Sequence, residues 1–274
     1  MSALPVDTAQ LLAYQTTAIE LAHAAGAVLL EHQARGFRTE SKGRRRELVT
    51  AADRSAEHVI VGGLLERFPT HGVLAEEGVL TVQGQVSSAS EWTWIVDPLD
   101  GTTNFVHGLP FYSVAIALAH RMVPVVGVVH APVLGQTYAA ATGQGATRDG
   151  HKLSVSATRE LADALLATGF AYQRDEPGAE DNLALMGRVL PHCRDIRRFG
   201  SAELDLCLVA AGNYDGYWEL GLAPYDVAAG AVVVQEAGGR VSDLAGGADW
   251  LLGQRILASN GSLHDSLLQH LSQR

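Results

Sequence analysis

Apolar residues recur at helical spacing near the start of the chain. Leu11, Leu12, Ile19, Ala22, Val28 and Leu29 predict a long amphipathic helix over 8–32, with Asp7 or Thr8 available as its cap. A polar, basic stretch over 36–47 reads as a loop, and residues 50–68 as a second helix closed by Pro69. The period then changes. Residues 73–75 and 92–96 are apolar runs of strand length, separated by a segment of turn composition, 84–90, that reads as a surface loop. Residues 114–119, 123–129 and 137–141 are three further β-rich runs with turn signals between them, as in an antiparallel meander within a large sheet. The second half alternates: strand over 161–168, helices over 181–190 and 201–211, strand over 214–219, and a helix over 225–237 stopped by Gly238 and Gly239. A strand over 255–258 and a helix over 263–271 follow. Helices alternating with strands, without repeats or low-complexity tracts, predict one layered α/β unit over 1–274, with sub-domains meeting near residue 150.

Composition narrows the functional classes. At 274 residues the chain is long enough to bury roughly 75% of its unfolded surface without covalent staples. Its two cysteines, Cys193 and Cys207, lack the spacing of a zinc or redox motif and read as ordinary thiols. Residues 1–10 hold no basic residue and no apolar run of signal-peptide length, which places the protein in the cytoplasm as an expectation. The uncharged run between Arg121 and Arg148 is interrupted by Pro124, Gly127, Pro132, Gly135 and Gly143, so buried sheet is expected there and no membrane span. Asp and Glu exceed Lys and Arg by 30 to 20, which gives no electrostatic reason to seek nucleic acid or an anionic membrane. If such a chain handles phosphate, something other than its own side chains must supply positive charge.

The candidate chemistry lies where the apolar run 94–96 meets Asp97-Pro98-Leu99-Asp100-Gly101-Thr102-Thr103-Asn104-Phe105. Two carboxylates at the end of a rigid strand can hold a hard cation through oxygen, the ligand type Mg²⁺ prefers. Glycine lets the backbone approach a ligand, and a helix starting at Thr102 or Thr103 would present free N–H groups to a phosphate. Either aspartate alone reads as a turn former or cap; the string as a whole is more specific. Glu76 and Glu77 follow another apolar run, while Asp53 and Asp226 stand at predicted helix starts where capping is the ordinary role. The eleven histidines form no convincing ligand cluster. Neither a nucleophile elbow nor a two-histidine zinc motif occurs.

Segments 48–53, 75–78, 94–107, 199–202 and 218–229, in that order, resemble the successive signatures of the inositol monophosphatase family of Mg²⁺-dependent, lithium-sensitive phosphatases. The resemblance implies that Glu76, Asp97 and the carbonyl of Leu99 hold one Mg²⁺, that Asp97, Asp100 and Asp226 hold a second, and that Glu76 contributes to a third, mostly hydrated ion. It implies that Glu76, Thr102 and Asp53 serve catalysis, the last two by orienting the attacking water. Lys42, Asp100, Gly101 and Thr102 would face the phosphate end of the substrate, and Gly200, Ser201, Ala202 and Glu219 the sugar pocket. It further implies an α-β-α-β-α layered fold with a large, mostly antiparallel sheet, a homodimer, and a small phosphate monoester as substrate. Thr103-Asn104-Phe105 resembles the inositol phosphatase branch. The basic triplet Arg44, Arg45 and Arg46 departs from the family's small or proline residues and keeps doubly phosphorylated substrates open. Ala75 stands where relatives often carry glycine or serine and Tyr225 where they often carry tryptophan; neither departure touches a proposed ligand. The alternatives are a fructose 1,6-bisphosphatase, a histidinol phosphatase, a 3'-phosphoadenosine 5'-phosphate phosphatase, and a catalytically weak metal-binding regulatory protein.

Overall fold

The alternation along one strand explains the layers. The computed structural model describes residues 6–35, 39–41, 48–76, 90–172, 174 and 182–272. Strand β5 (Ser113–His120) points Val114, Ile116 and Leu118 to one side and Ala115, Ala117 and Ala119 to the other, all buried. Period-2 geometry thus separates large from small residues and gives the sheet two different faces.

Two helices cover the first face, α1 (Thr8–Arg35) and α2 (Ala51–Arg67). The buried stripe of α1 is Leu11, Tyr14, Ala18, Leu21, Ala22, Ala25 and Leu29, spaced by three and four. Leu12, expected on this stripe, is 40% exposed because it falls one step off it. Asp7 caps the helix by accepting the Gln10 N–H at 2.9 Å. A ribbon of β1 (Thr39–Ser41) and β2 (Leu48–Thr50) lies between the helices, so part of the expected loop is paired strand. Lys42, Arg44, Arg45 and Arg46 lie outside the described residues, as do Glu77 and most of the loop expected over 84–90.

The large sheet orders β3 (Gly72–Ala75), β4 (Trp92–Asp100), β5, β6 (Val123–Ala131), β7 (Gln136–Ala141), β8 (Gly145–Arg148) and β9 (His151–Lys152). Only β3 and β4 run parallel; every later pair is antiparallel. A second, five-stranded sheet orders β11 (Asp195–Arg197), β10 (Leu165–Thr168), β12 (Gly216–Leu220), β14 (Arg255–Ser259) and β13 (Arg240–Ser242). Between the sheets lie α5 (Ala202–Ala210) and α6 (Ala228–Glu236), while α4 (Asn182–Val189) and α7 (His264–Ser272) pack together outside the second sheet. The order is α-β-α-β-α, as the family resemblance implied. No helix among the described residues is long and apolar enough to cross a membrane.

Three expected elements differ. Residues 161–163 form a 3-10 turn, so strand β10 begins only at Leu165. The strand expected to end at Val96 continues through Pro98 to Asp100. The helix expected over 225–237 is a 3-10 turn, Pro224–Asp226, then a break at Val227 (φ −137°, ψ −17°) and helix α6, so Asp226 precedes the helix rather than opening it.

Candidate active site

The extension of β4 through Pro98 builds the site. Asp97 lies opposite Ala115 and Asp100 opposite Ser113, so three steps along β4 match two along β5. In a regular strand, residues three apart point to opposite faces. One extra residue, a β-bulge, turns both aspartates to the face that Ser113 and Ala115 share, the face toward α5 and α6. Proline is tolerated at a bulge because no ladder N–H is required there. Gly101 follows with φ +92°, and a side chain on it would press on the carbonyls of Phe111 at 3.1 Å and Gly200 at 3.2 Å. Helix α3 (Thr102–Val106) starts at the next residue, where the sequence allowed a helix to begin.

Asp97 and Asp100 have different partners. Asp97 accepts the Leu99 N–H at 2.9 Å, a bond within the bulge. Asp100 caps a helix a hundred residues away: it accepts the Ala202 N–H at 3.1 Å and the Glu203 N–H at 3.0 Å, with hydroxyl donors Ser201 and Ser113 beside them. Capping is therefore one of its roles, though for α5 and not for its own neighbours. Asp226 accepts the Ala223 N–H at 2.6 Å and is only half-buried. Glu76 stands just past the end of β3, its N–H bonded to the Val96 carbonyl at 3.3 Å.

Mutual repulsion marks this group. Burial, then Glu76, Asp100 and Asp226, push the Asp97 carboxyl well above the usual carboxylate range, and burial with Glu76 does the same to Asp226. Burial raises Asp100 too, against its four donors. The cleft they line also includes Leu99, Gly101, Thr102, Gly200, Ala202 and Glu219, so the expected metal, phosphate and sugar positions come together around one space. Thr102 Oγ1 lies 3.1 Å from the Leu99 carbonyl oxygen and 3.4 Å from Asp53 Oδ1; its single proton serves one of them at a time. Asp53 is fully buried in the first turn of α2. Ser201, the N-cap residue of α5, is buried behind the cleft wall and reaches the site through Asp100.

Glu219, on β12, stands across the cleft. The Tyr217 hydroxyl donates to its Oε2 at 2.6 Å, and burial raises its carboxyl to about 7 against that bond and the nearby Arg198 charge. Phe170, Ala171 and Tyr172, leaving β10, form the adjoining wall.

The donor set suits a hard divalent cation in kind: oxygen only, held in a shared low-dielectric cleft, with Arg198 the single side-chain cation among the described lining residues. Among the described residues no three acidic, histidine or thiol groups are gathered closely enough to enclose an ion as they stand. The fit is thus one of chemistry and placement around the cleft rather than a closed coordination shell.

Three residues, Arg198, Glu203 and Asp205, escape a reading of the sequence, as does the role of Asn104. Arg198 lines the cleft two positions before Gly200, which was the available signal. Asn104 donates from Nδ2 toward the carbonyls of Phe111 at 2.6 Å, Phe199 at 2.7 Å and Gly200 at 3.3 Å, lacing α3 to the segment that precedes α5. Glu203 and Asp205 are buried acids within the apolar run of α5, and acids in such a run are themselves a signal.

Residues 11–274 match the family model described as the inositol monophosphatase family. The chain is 43% identical over 263 residues to an inositol-1-monophosphatase of Synechocystis, covering 93% of this chain and 87% of that one. It is 43% identical over 224 residues to a protein of Pseudomonas aeruginosa named Nus factor SuhB, covering 81% and 82%. Among solved structures, an inositol monophosphatase from Anabaena superposes with a TM-score of 0.86 at 41% identity over 96% of this chain and 97% of that chain. The extragenic suppressor protein suhB from Bartonella henselae superposes with a TM-score of 0.88 at 37% identity over 95% and 99%. With near-complete coverage in sequence and in fold, the chain belongs to the inositol monophosphatase family and is a phosphoric monoester hydrolase of that type.

Proposed function

We propose that the protein is a Mg²⁺-dependent phosphomonoesterase acting on inositol 1-phosphate or a similar polyol phosphate. The observation that carries this reading is the bulge that aims Asp97 and Asp100 into one cleft with Asp226, Glu76 and, across it, Glu219. Glu76, Asp97, Asp100, Asp226 and the Leu99 carbonyl would hold the ions, two or three in number. Bound Mg²⁺ would polarise the phosphoryl group, lower the pKa of water and stabilise the leaving alkoxide.

The chain's own groups supply position. When Thr102 gives its hydroxyl proton to Asp53, its oxygen is free to accept a hydrogen bond from the attacking water and so to orient it. The backbone N–H groups at Gly101 and Thr102, which line the cleft, would donate to the phosphate oxygens. Glu219 has one oxygen held by Tyr217 and the other free for a substrate hydroxyl, which favours a polyol over a bare phosphate ester. Lys42 would add a cation at the phosphate, and the substrate is a small molecule. The active form is proposed to be a homodimer in the cytoplasm.

A panel of inositol 1-phosphate, fructose 1,6-bisphosphate, histidinol phosphate and 3'-phosphoadenosine 5'-phosphate tests substrate choice. The highest kcat/KM is expected for inositol 1-phosphate, and Glu219→Gln should lower that value while sparing an ester without ring hydroxyls. A clear preference for a doubly phosphorylated ester would replace this reading with one centred on the basic triplet. The relatives named Nus factor SuhB favour a second role beside catalysis, which would survive in an Asp97→Asn variant that no longer hydrolyses its substrate.

A further inference from the structure

The acid Glu203, in the first turn of α5, has no place in the chemistry above, yet it is fully buried and both its oxygens are used. Oε1 accepts the Ala229 N–H at 3.1 Å, and Oε2 accepts the Gly230 N–H. These are amides of the first turn of α6, which have no partner within their own helix. The turn carrying Asp226 leads directly into that helix. At the other end of the same link, the Glu203 backbone N–H donates to Asp100. One residue therefore joins the two aspartates: its main chain holds Asp100, and its side chain holds the helix start that Asp226 precedes.

The contact is closely fitted. A Cβ on Gly230 would stand 2.6 Å from Glu203 Oε2 and 2.6 Å from Leu206 Cβ, so glycine is what lets α6 approach α5 this closely. A buried acid is costly, and burial pushes the Glu203 carboxyl well above its usual range. Glutamine in its place would offer one acceptor oxygen to two N–H groups, and its amide would meet the second donor head-on.

We infer that Glu203 is a positioning residue that sets where Asp226 stands relative to Asp100. The inference rests on the reading of these two aspartates as metal ligands. Groups behind metal ligands typically contribute about 10- to 100-fold to metal affinity.

The test measures Mn²⁺ binding to the metal-free full-length protein by electron paramagnetic resonance, alongside thermal unfolding and steady-state kinetics. Glu203→Ala and Gly230→Ala are each expected to raise the half-saturating Mn²⁺ concentration by about tenfold or more, with KM for substrate at saturating metal little changed. Glu203→Gln should lie between them and the parent. Asp215→Asn is the structural control: that acid accepts the Leu165 N–H at 2.7 Å at the opposite end of β12, so it should lower Tm and leave Mn²⁺ binding as in the parent. Parent-like Mn²⁺ binding in Glu203→Ala and Gly230→Ala would overturn the inference; should Glu203→Ala not fold, Gly230→Ala decides alone. Loss of binding in Asp97→Asn shows that the ligand reading holds, whereas no Mn²⁺ binding by the parent protein removes that reading and the inference with it.

Discussion

The two faces of the large sheet share strands but do different work. Toward α1 and α2 they present Trp94, Val96, Val114, Ile116, Leu118, Val126 and Val128, with aromatic contacts such as Tyr14 against Trp94 at 6.1 Å. Toward α5 and α6 the same strands present Ala115, Ala117, Ala119, Ala131 and Ala140, and beyond them Asp97 and Asp100, with Glu203 facing them from α5. The first face is a packed core that stabilises. Small side chains on the second let helix starts come close enough for their free N–H groups to meet buried carboxylates. Burying charge is tolerated there because helix termini supply donors, as at Asp100 and Glu203. Stability and chemistry are thus divided by side-chain parity along single strands, and the bulge at Pro98 assigns Asp100 to the chemical face.

The largest expected effect would come from that face. Asp97→Asn should lower kcat by about 10³-fold, on the order of 4 kcal/mol of lost transition-state stabilisation. It should also raise Tm in EDTA, because one of several mutually repelling buried acids is removed. A variant that lost activity and stability together would mean that Asp97 belongs to the structural core.

Next come paired substitutions one residue apart. Ile116→Ala, on the α1 and α2 face, should destabilise by about 2–5 kcal/mol and leave kcat/KM of the folded fraction unchanged. Ala117→Leu, on the opposite face, should cost about 1–3 kcal/mol and also lower kcat/KM by displacing α5 and α6. Denaturant melts and kinetics on both variants check this, and equal effects on activity would break the distinction between the faces.

Glu219 gives a smaller, pH-dependent effect. Its folded-state carboxyl at about 7 lies above the ordinary 4.5, so between these values the folded protein holds a proton that the unfolded chain has released. Stability that this group contributes is complete below the ordinary value and is lost as pH rises through about 7. Relative to the parent, Glu219→Gln should therefore gain Tm on going from pH 5 to pH 8; a constant difference would show that Glu219 is not buried as described. The smallest effect is expected outside both faces, at the exposed pair Arg240 and Asp265, 2.8 Å apart. There Arg240→Ala should cost about 0–1 kcal/mol with no change in kinetics.

Much of this was legible in the sequence where a local rule governs. The stripe of α1, the strands β5 to β7 and the Asp97-to-Thr102 string follow from spacing and residue type. What stayed hidden depends on pairing across the chain. Pro98 argues locally for the end of a strand, and only the register against β5 shows a bulge carrying the strand on to Asp100. The short strands β8 and β13 have few β-branched residues, and neighbouring strands hold them in place. At 161–163 the apolar residues fit a strand, but the Asp163 N–H bonds back to Glu160 and closes a turn. Asp226 was expected to open a helix, yet Val227 breaks the path between them. Glu203 and Asp205 are acids in an apolar run, which is a signal, although the partners of Glu203 lie in another segment, at the start of α6.

The buried carboxylates should make this cleft a phosphatase only with a divalent cation bound. Phosphate release from inositol 1-phosphate, measured after EDTA treatment and again after Mg²⁺ is restored, decides the matter. No turnover is expected in EDTA, with full recovery on Mg²⁺. Turnover that persists undiminished in EDTA would show that the carboxylates work without a metal.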